Sequence, residues 1–230
     1  MANQLSKLES IIDYKFKDRT LLRKAMTHRS YATERKIPTD NQRLEFLGDA
    51  VIEIIVTEYL FKLYPEKQEG ELTALRSALV QKNTLSRLAC KIHLQDFILL
   101  GKGEIEAGGS TRISTLCDAF EALIGAIYLD SDFNTIRAFL LPILINVFPH
   151  PDSLLLELNP KGLLQEATQK KWGMKPDYKI RESIGPQHDI IYVIEAYIDG
   201  KLYGIGKGKN IKSAESAAAK ATLQLIQHLI

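Results

Sequence analysis

Residues 41–50 read NQRLEFLGDA, and the pages of helix-forming sequence around them depend on how this stretch is understood. An apolar run carries Glu45 and Asp49 through its middle, with Gly48 beside them. Four residues apart on a helix, the two acids share one face. A second segment, CDAFEALIGA at 117–126, repeats the arrangement with Asp118 and Glu121 three residues apart. No Lys or Arg occurs from Leu44 to Phe61 or from Ile113 to Asp130, so the local sequence offers these acids no cation. A buried carboxylate needs a partner, a proton or a metal. Helices this apolar must pack on something, and if the two acidic faces meet, four carboxylates converge. Their repulsion raises their pKa values unless a divalent cation sits among them. Oxygen ligands alone favour Mg²⁺ or Mn²⁺ over zinc. Gly48 and Gly125 each cost about 1 kcal/mol inside a helix, which is tolerable where a missing side chain lets two helices approach. Spacing alone also allows the bland arrangement in which each pair faces solvent.

Outward from these segments the first part of the chain reads as helix after helix. Residues 5–16, 19–34, 44–64, 70–92, 114–130 and 133–148 show helical spacing or long buried-helix runs. The polar, proline-bearing PHPDS at 149–153 suits a linker edge, which sets a helical domain at 1–150 and a second domain at 155–230. In the second, KGLLQEATQKKWG reads as a short helix ending at Gly173, and DYKIRES and DIIYVIEAYI read as strands. Asp199-Gly200 before KLYGIG is a two-residue hairpin signal. The last segment, from Asn210 as N-cap, is an alanine-rich helix. The expected fold is an all-α domain followed by a small α+β domain of order α-β-β-β-α, with two helices covering one sheet face.

Composition excludes little. The chain has 230 residues, a net charge of +2 and 45% hydrophobic residues. Residues 1–153 carry a net −1 and residues 154–230 a net +3, a mild hint that the second domain meets a polyanion. Cys90 and Cys117 form no ligand-like pattern and read as reduced, buried thiols. The N-terminus lacks an apolar signal core, and AFLLPILINVF is too short to span a bilayer, so a cytoplasmic protein without membrane insertion is expected. His28, His93, His150, His188 and His228 are scattered, with no pair at metal-binding spacing. GIGKGKN lacks the Gly-Lys-Ser/Thr ending of a phosphate loop.

The ordered set of motifs resembles the ribonuclease III family. NQRLEFLGDA is similar to its signature segment; AMTHRSYA, GELTALRSALV and LLGKGE match further segments, and DAFEALIGAIYLD is similar to its second acidic motif. The C-terminal LLQEATQ, GPQHD and GKGKNIKSAESAAAKA resemble a double-stranded-RNA-binding domain. The resemblance covers nearly the whole chain and is nearest the simple bacterial type. It implies an Mg²⁺ site built from Glu45, Asp49, Asp118 and Glu121, with Mn²⁺ substituting and with Asp49 and Glu121 as catalytic residues. It implies hydrolysis of double-stranded RNA to 5′-phosphate and 3′-hydroxyl ends in rRNA and mRNA processing. It also implies a homodimer, with Phe46 inserting into the partner subunit. Two positions depart from the pattern: Gln42 stands where the family has Glu, and Ile211 where it has the first of two lysines. Gln42 keeps a second reading in play, a catalytically weak double-stranded-RNA-binding regulator. A helical nucleotide phosphohydrolase would account for the acids but not for the C-terminal domain.

Duplex RNA hides its bases in a deep groove, so proteins grip its shape, 2′-hydroxyls and phosphates. Candidate contacts are Gln165 and Glu166 on the first helix of the second domain, and His188 in the GPQHD loop. Lys207, Lys209 and Lys212 flank the start of the last helix, where free N–H groups favour phosphate.

Overall fold

The computed structural model describes residues 2–186 and 189–226. It divides into two compact units at Pro151/Asp152. The first holds helices α1 (Ala2–Ile11), α2 (Arg19–Ala25), α3 (Arg29–Arg35), α4 (Gln42–Leu63), α5 (Glu69–Val80), α6 (Lys82–Lys91), α7 (Lys102–Glu106), α8 (Ile113–Asp130) and α9 (Phe133–Val147). The second holds α10 (Pro151–Leu158), α11 (Pro160–Trp172), strands β1 (Asp177–Ile184), β2 (Ile191–Ile198) and β3 (Lys201–Gly208), and α12 (Ile211–Ile226). No single helix among the described residues is long and apolar enough to cross a membrane.

Helix α8 is the axis of the first unit. Nearly every side chain from Thr115 to Ile127 is buried, as expected for a helix apolar on all sides. It packs most closely on α4, and the crossing point is set by two glycines. A Cβ on Gly48 would lie 1.8 Å from the Glu121 carbonyl oxygen, and one on Gly125 would lie 2.3 Å from that of Leu44. Neither position admits alanine without driving the helices apart.

Two segments expected as single helices are broken. Residues 19–34 part at Met26–His28, where the backbone is claimed by distant partners. Leu99 donates to Met26 O at 2.7 Å, His28 donates to Leu99 O at 3.1 Å, and Asn41 donates to Thr27 O at 2.9 Å. Residues 70–92 part at Gln81, whose extended backbone separates α5 from α6, and Thr84 Oγ1 turns back to donate to Ala78 O at 2.7 Å. The expected linker edge also changes: Pro151 opens α10, so only the residues before it lie outside helix. Cys117 is buried as expected, whereas Cys90 is exposed on α6.

The second unit follows the expected order. The sheet is antiparallel, β1-β2-β3. Asp199 (φ 50°) and Gly200 (φ 71°) form the turn between β2 and β3, both in the left-handed region that such a two-residue turn demands. Leu164, Ile198, Ala219 and Ile226 form a core with Trp172 and Tyr203 packed against it, so α11 and α12 cover one sheet face. Helix α11 ends at Gly173 (φ 69°), and Asn210 Oδ1 caps α12 by accepting from Ser213 N at 2.9 Å.

The far end of α8 is tied to the N-terminal segment by one carboxylate. Asp130, 7% exposed, accepts from Tyr14 Oη at 2.7 Å, Lys17 N at 2.9 Å and Asp18 N at 2.8 Å. Burial alone would raise its pKa; the three donors outweigh burial and hold it below 3.8. The stabilisation is therefore complete above the unfolded value of 3.8 and is lost as pH falls through the lower folded value. Asp130→Asn should cost about 1–3 kcal/mol near neutral pH, because an amide cannot accept from all three donors. Urea unfolding of both proteins across pH should show that gap narrowing only in acid.

Candidate active site

Glu45 and Asp49 project from α4 on either side of the Gly48/Gly125 crossing, Glu121 projects from α8 where its carbonyl meets Gly48, and Asp118 lies one turn before Glu121. Because backbone meets backbone there, the neighbouring side chains are forced into one small volume. Glu121 is 9% exposed, Glu45 and Asp118 are half-buried, and Asp49 is exposed. The carboxyl groups feel one another. Burial, with Asp49, Asp118 and Glu45 adding to it, pushes Glu121 up to about 7. Burial and then Asp118 raise Glu45, and burial raises Asp118.

The tightest set of ligand-type atoms is not the four acids. Cys117, Asp118 and Glu121 bring one such atom each within 4.8 Å of one another, and Glu45 and Asp49 border that group from α4. The Cys117 thiol donates to Glu121 Oε1 at 3.4 Å. Burial, with Glu121 beside it, pushes the thiol far up, so sulfur stays protonated and serves as a hydrogen-bond donor. The donor set is therefore one of carboxylate oxygens, the chemistry of a hard divalent cation.

Two side chains that favour the charged acids come from elsewhere in the fold. Lys82, at the start of α6, opposes the upward shift of both Glu45 and Asp118, and His28 opposes that of Asp118. Neither is near the acids in sequence, and only the packing of α6 and α3 brings them there. Glu45 and Asp118 open onto a groove of about 620 Å³, lined also by Gln42, Asn41, His28, Arg29 and Glu34. Gln42 is the exposed first residue of α4, its backbone N donating to Asp40 Oδ1 at 3.1 Å. Phe46, next to Glu45, is 82% exposed.

In the second unit Gln165 and Glu166 are neighbouring exposed residues of α11. Lys209 and Lys212 flank the start of α12, with Lys209 85% exposed and 3.9 Å from Asp189. Ile211 is 42% exposed in the first turn of the same helix. Lys207 is not part of that cluster. Gly206 faces α12, with a Cβ position 2.1 Å from Ala218 N, so the alternation of a strand turns Lys207 to the other sheet face. His188 lies outside the described residues.

Residues 18–147 match the model for a Ribonuclease-III-like family, and residues 160–226 match the double-stranded RNA binding motif. The chain is 42% identical to Ribonuclease 3 of Enterococcus faecalis over 98% of its own length and 99% of that protein. It is 42% identical to Ribonuclease 3 of Aliarcobacter butzleri over 96% and 97%. The first unit is similar to the nuclease domain of ribonuclease III from Campylobacter jejuni, with a TM-score of 0.60 and 42% identity over 63% of this chain and 98% of that one. A helical acidic centre in the same chain as an RNA-binding motif defines an endoribonuclease. The chain belongs to the ribonuclease III family.

The raised Glu121 pKa fixes a sign. Its charge costs the metal-free fold nothing below the ordinary value of 4.5, and the cost grows to full size above about 7. Glu121→Gln removes that charge while keeping an oxygen for the Cys117 thiol. In chelator, its melting temperature should exceed wild type above pH 7, and the two should converge below pH 4.5. Added Mg²⁺ should stabilise wild type more than the variant.

Proposed function

We propose that this chain is an Mg²⁺-dependent endoribonuclease of double-stranded RNA, in which Glu45, Asp49, Asp118 and Glu121 hold the cation. The observation that carries the reading is the glycine crossing, which gathers four carboxylates, two of them, Glu45 and Asp118, lining one groove. Asp118 and Glu121 supply the buried oxygens, while Glu45 and Asp49 close the centre from α4. When bound, Mg²⁺ or Mn²⁺ supplies activation of a water and offsets the charge that builds on a phosphate. Asp49 and Glu121 are the residues we assign to catalysis. Cys117 orients Glu121 through its thiol, and Lys82 offsets part of the acidic potential. Cleavage leaves 5′-phosphate and 3′-hydroxyl ends, and the family relationship supports roles in rRNA and mRNA processing.

Duplex binding rests on the second unit, through Gln165 and Glu166 on α11 and Lys209 and Lys212 at the start of α12. Lys207, on the other sheet face, has no place in that contact. Gln42 does not shift the reading towards a weak regulator: it is an exposed amide on the groove, and all four acids are present. Single-turnover cleavage of a duplex RNA across an Mg²⁺ titration tests the assignment. Asp118→Asn and Glu121→Gln should each slow cleavage about a hundredfold or more, with gel-shift affinity for the duplex near wild type. Near-normal rates in either variant would remove that residue from the cation site.

The outer face of α4 is apolar where a solvated helix should be polar. Phe46 (82% exposed), Ile54 (57%) and Phe61 (69%) line it, and a cleft of about 400 Å³ opens beside Leu60, Phe61 and Leu72. A second copy of this chain is the occupant we propose, with Phe46 seated in the partner's cleft. The Campylobacter jejuni nuclease domain supports this, since its structure is described for flexibility in a region involved in dimer formation. Phe46→Glu should convert a dimer to a monomer by light scattering while helical content is retained.

A further inference from the structure

The segments Ala25–Ala32 and Leu99–Glu104, which the acidic centre leaves without a task, meet at the edge of its groove. Met26–His28 leaves the helix and is held on two sides, by Leu99 through the bonds to Met26 O and from His28 N, and by Asn41 through Thr27 O. His28 is thereby fixed at the entrance of α3. Its ring nitrogen Nδ1 accepts from Ser30 N at 3.2 Å and lies 2.8 Å from Ser30 Oγ. Gly101 N in turn donates to that same Oγ at 3.0 Å. The bond from Ser30 N requires Nδ1 to be the acceptor, and the hydroxyl proton of Ser30, whose oxygen accepts from Gly101, is then free to point at Nδ1. An imidazole accepting at Nδ1 carries its proton on Nε2. No atom among the described residues accepts from Nε2, and the ring lines the groove with Glu45 and Asp118.

A second donor stands in the same groove without a partner. Asn41 is 2% exposed, and its Nδ2 has no hydrogen-bond acceptor. The groove sets three acids, Glu34, Glu45 and Asp118, against the cation Arg29, so a phosphodiester entering it still meets net repulsion that further donors on the protein offset.

We infer that His28 is a substrate-positioning donor, whose Nε2–H holds a non-bridging phosphate oxygen of the RNA strand beside the acidic centre, and that the chain Gly101 N–H, Ser30 Oγ–H, Nδ1 fixes its tautomer for that task. The inference rests on the functional reading above, in which this groove receives duplex RNA. It gives the 99–102 segment a role as the anchor of a proton's position on a ring that it does not itself touch.

Two amide substitutions separate the ring's two edges. In His28→Asn the side-chain oxygen takes the place of Nδ1, so the bond from Ser30 N survives and the groove donor is lost. In His28→Gln the amide nitrogen takes the place of Nε2, so the groove donor survives and the cap is lost. The full-length proteins are compared by melting temperature and by single-turnover cleavage of a duplex with one cleavage site at saturating Mg²⁺. His28→Asn should melt near wild type yet cleave about tenfold slower or less well still, the loss expected for a hydrogen bond to a charged oxygen. His28→Gln should melt lower, as loss of a cap requires, yet cleave faster than His28→Asn. Cleavage that follows melting temperature, or that equals wild type in both variants, overturns the inference. Wild type that leaves the duplex intact overturns the functional reading and this inference with it, whereas wild-type cleavage with the wrong variant order overturns the inference alone.

Discussion

Backbone contact between α4 and α8 is the constraint on which the catalytic unit depends. Packed helices usually stand apart by the length of their side chains, about 8–10 Å between axes. Here the carbonyl of Glu121 occupies the place of a Gly48 side chain, and the carbonyl of Leu44 occupies that of Gly125. The approach is reciprocal, so neither helix can slide without a clash. Glu45, Asp49, Asp118 and Glu121 follow from it, because each sits on a backbone whose position the crossing has already fixed. The glycines weaken both helices in isolation by about 1 kcal/mol apiece. Dense burial along α8 offsets that weakness.

Much of this was legible in the sequence because it depends on local spacing. The acid pairs at four and three residues, the glycines beside them, the Asp199-Gly200 turn and the Asn210 cap all appear where local rules put them. The losses have a common cause, which is long-range contact. Helical periodicity runs straight through Met26–His28, yet Leu99 and Asn41 take its backbone groups and end α2. Absence of Lys and Arg around the acids is true in sequence and incomplete in space, where Lys82 and His28 arrive from other helices. Lys207 lies two and five residues from its expected companions, but strand alternation sends it to the opposite face. Cys117 gave no sign of its contact with Glu121, since a small buried thiol on an apolar helix looks like any other core residue.

Electrostatic tension is concentrated where chemistry is expected. Elsewhere in the first unit several carboxylates are relieved: Glu58 by Lys62 and Arg137, Glu104 by Arg112, Glu9 by Arg19. At the α4/α8 crossing relief is partial, and Glu121 in particular is held near the boundary between its charged and neutral forms. Sites built to bind or react are where such unrelieved groups collect. The +3 of residues 154–230 complements this acidity, since the unit that bears it is the one matching an RNA-binding motif.

Asp130 gives a loop the kinetics of a core. The amides of Lys17 and Asp18 lie outside any helix, where backbone hydrogens ordinarily trade with solvent through small local openings. Both donate to the Asp130 carboxylate, which is itself anchored at the end of the most buried helix in the unit. Releasing either hydrogen therefore means detaching the segment from α8. In deuterium exchange these two loop amides belong with the slow class of the helical interior, and they report the integrity of the scaffold at the end of α8.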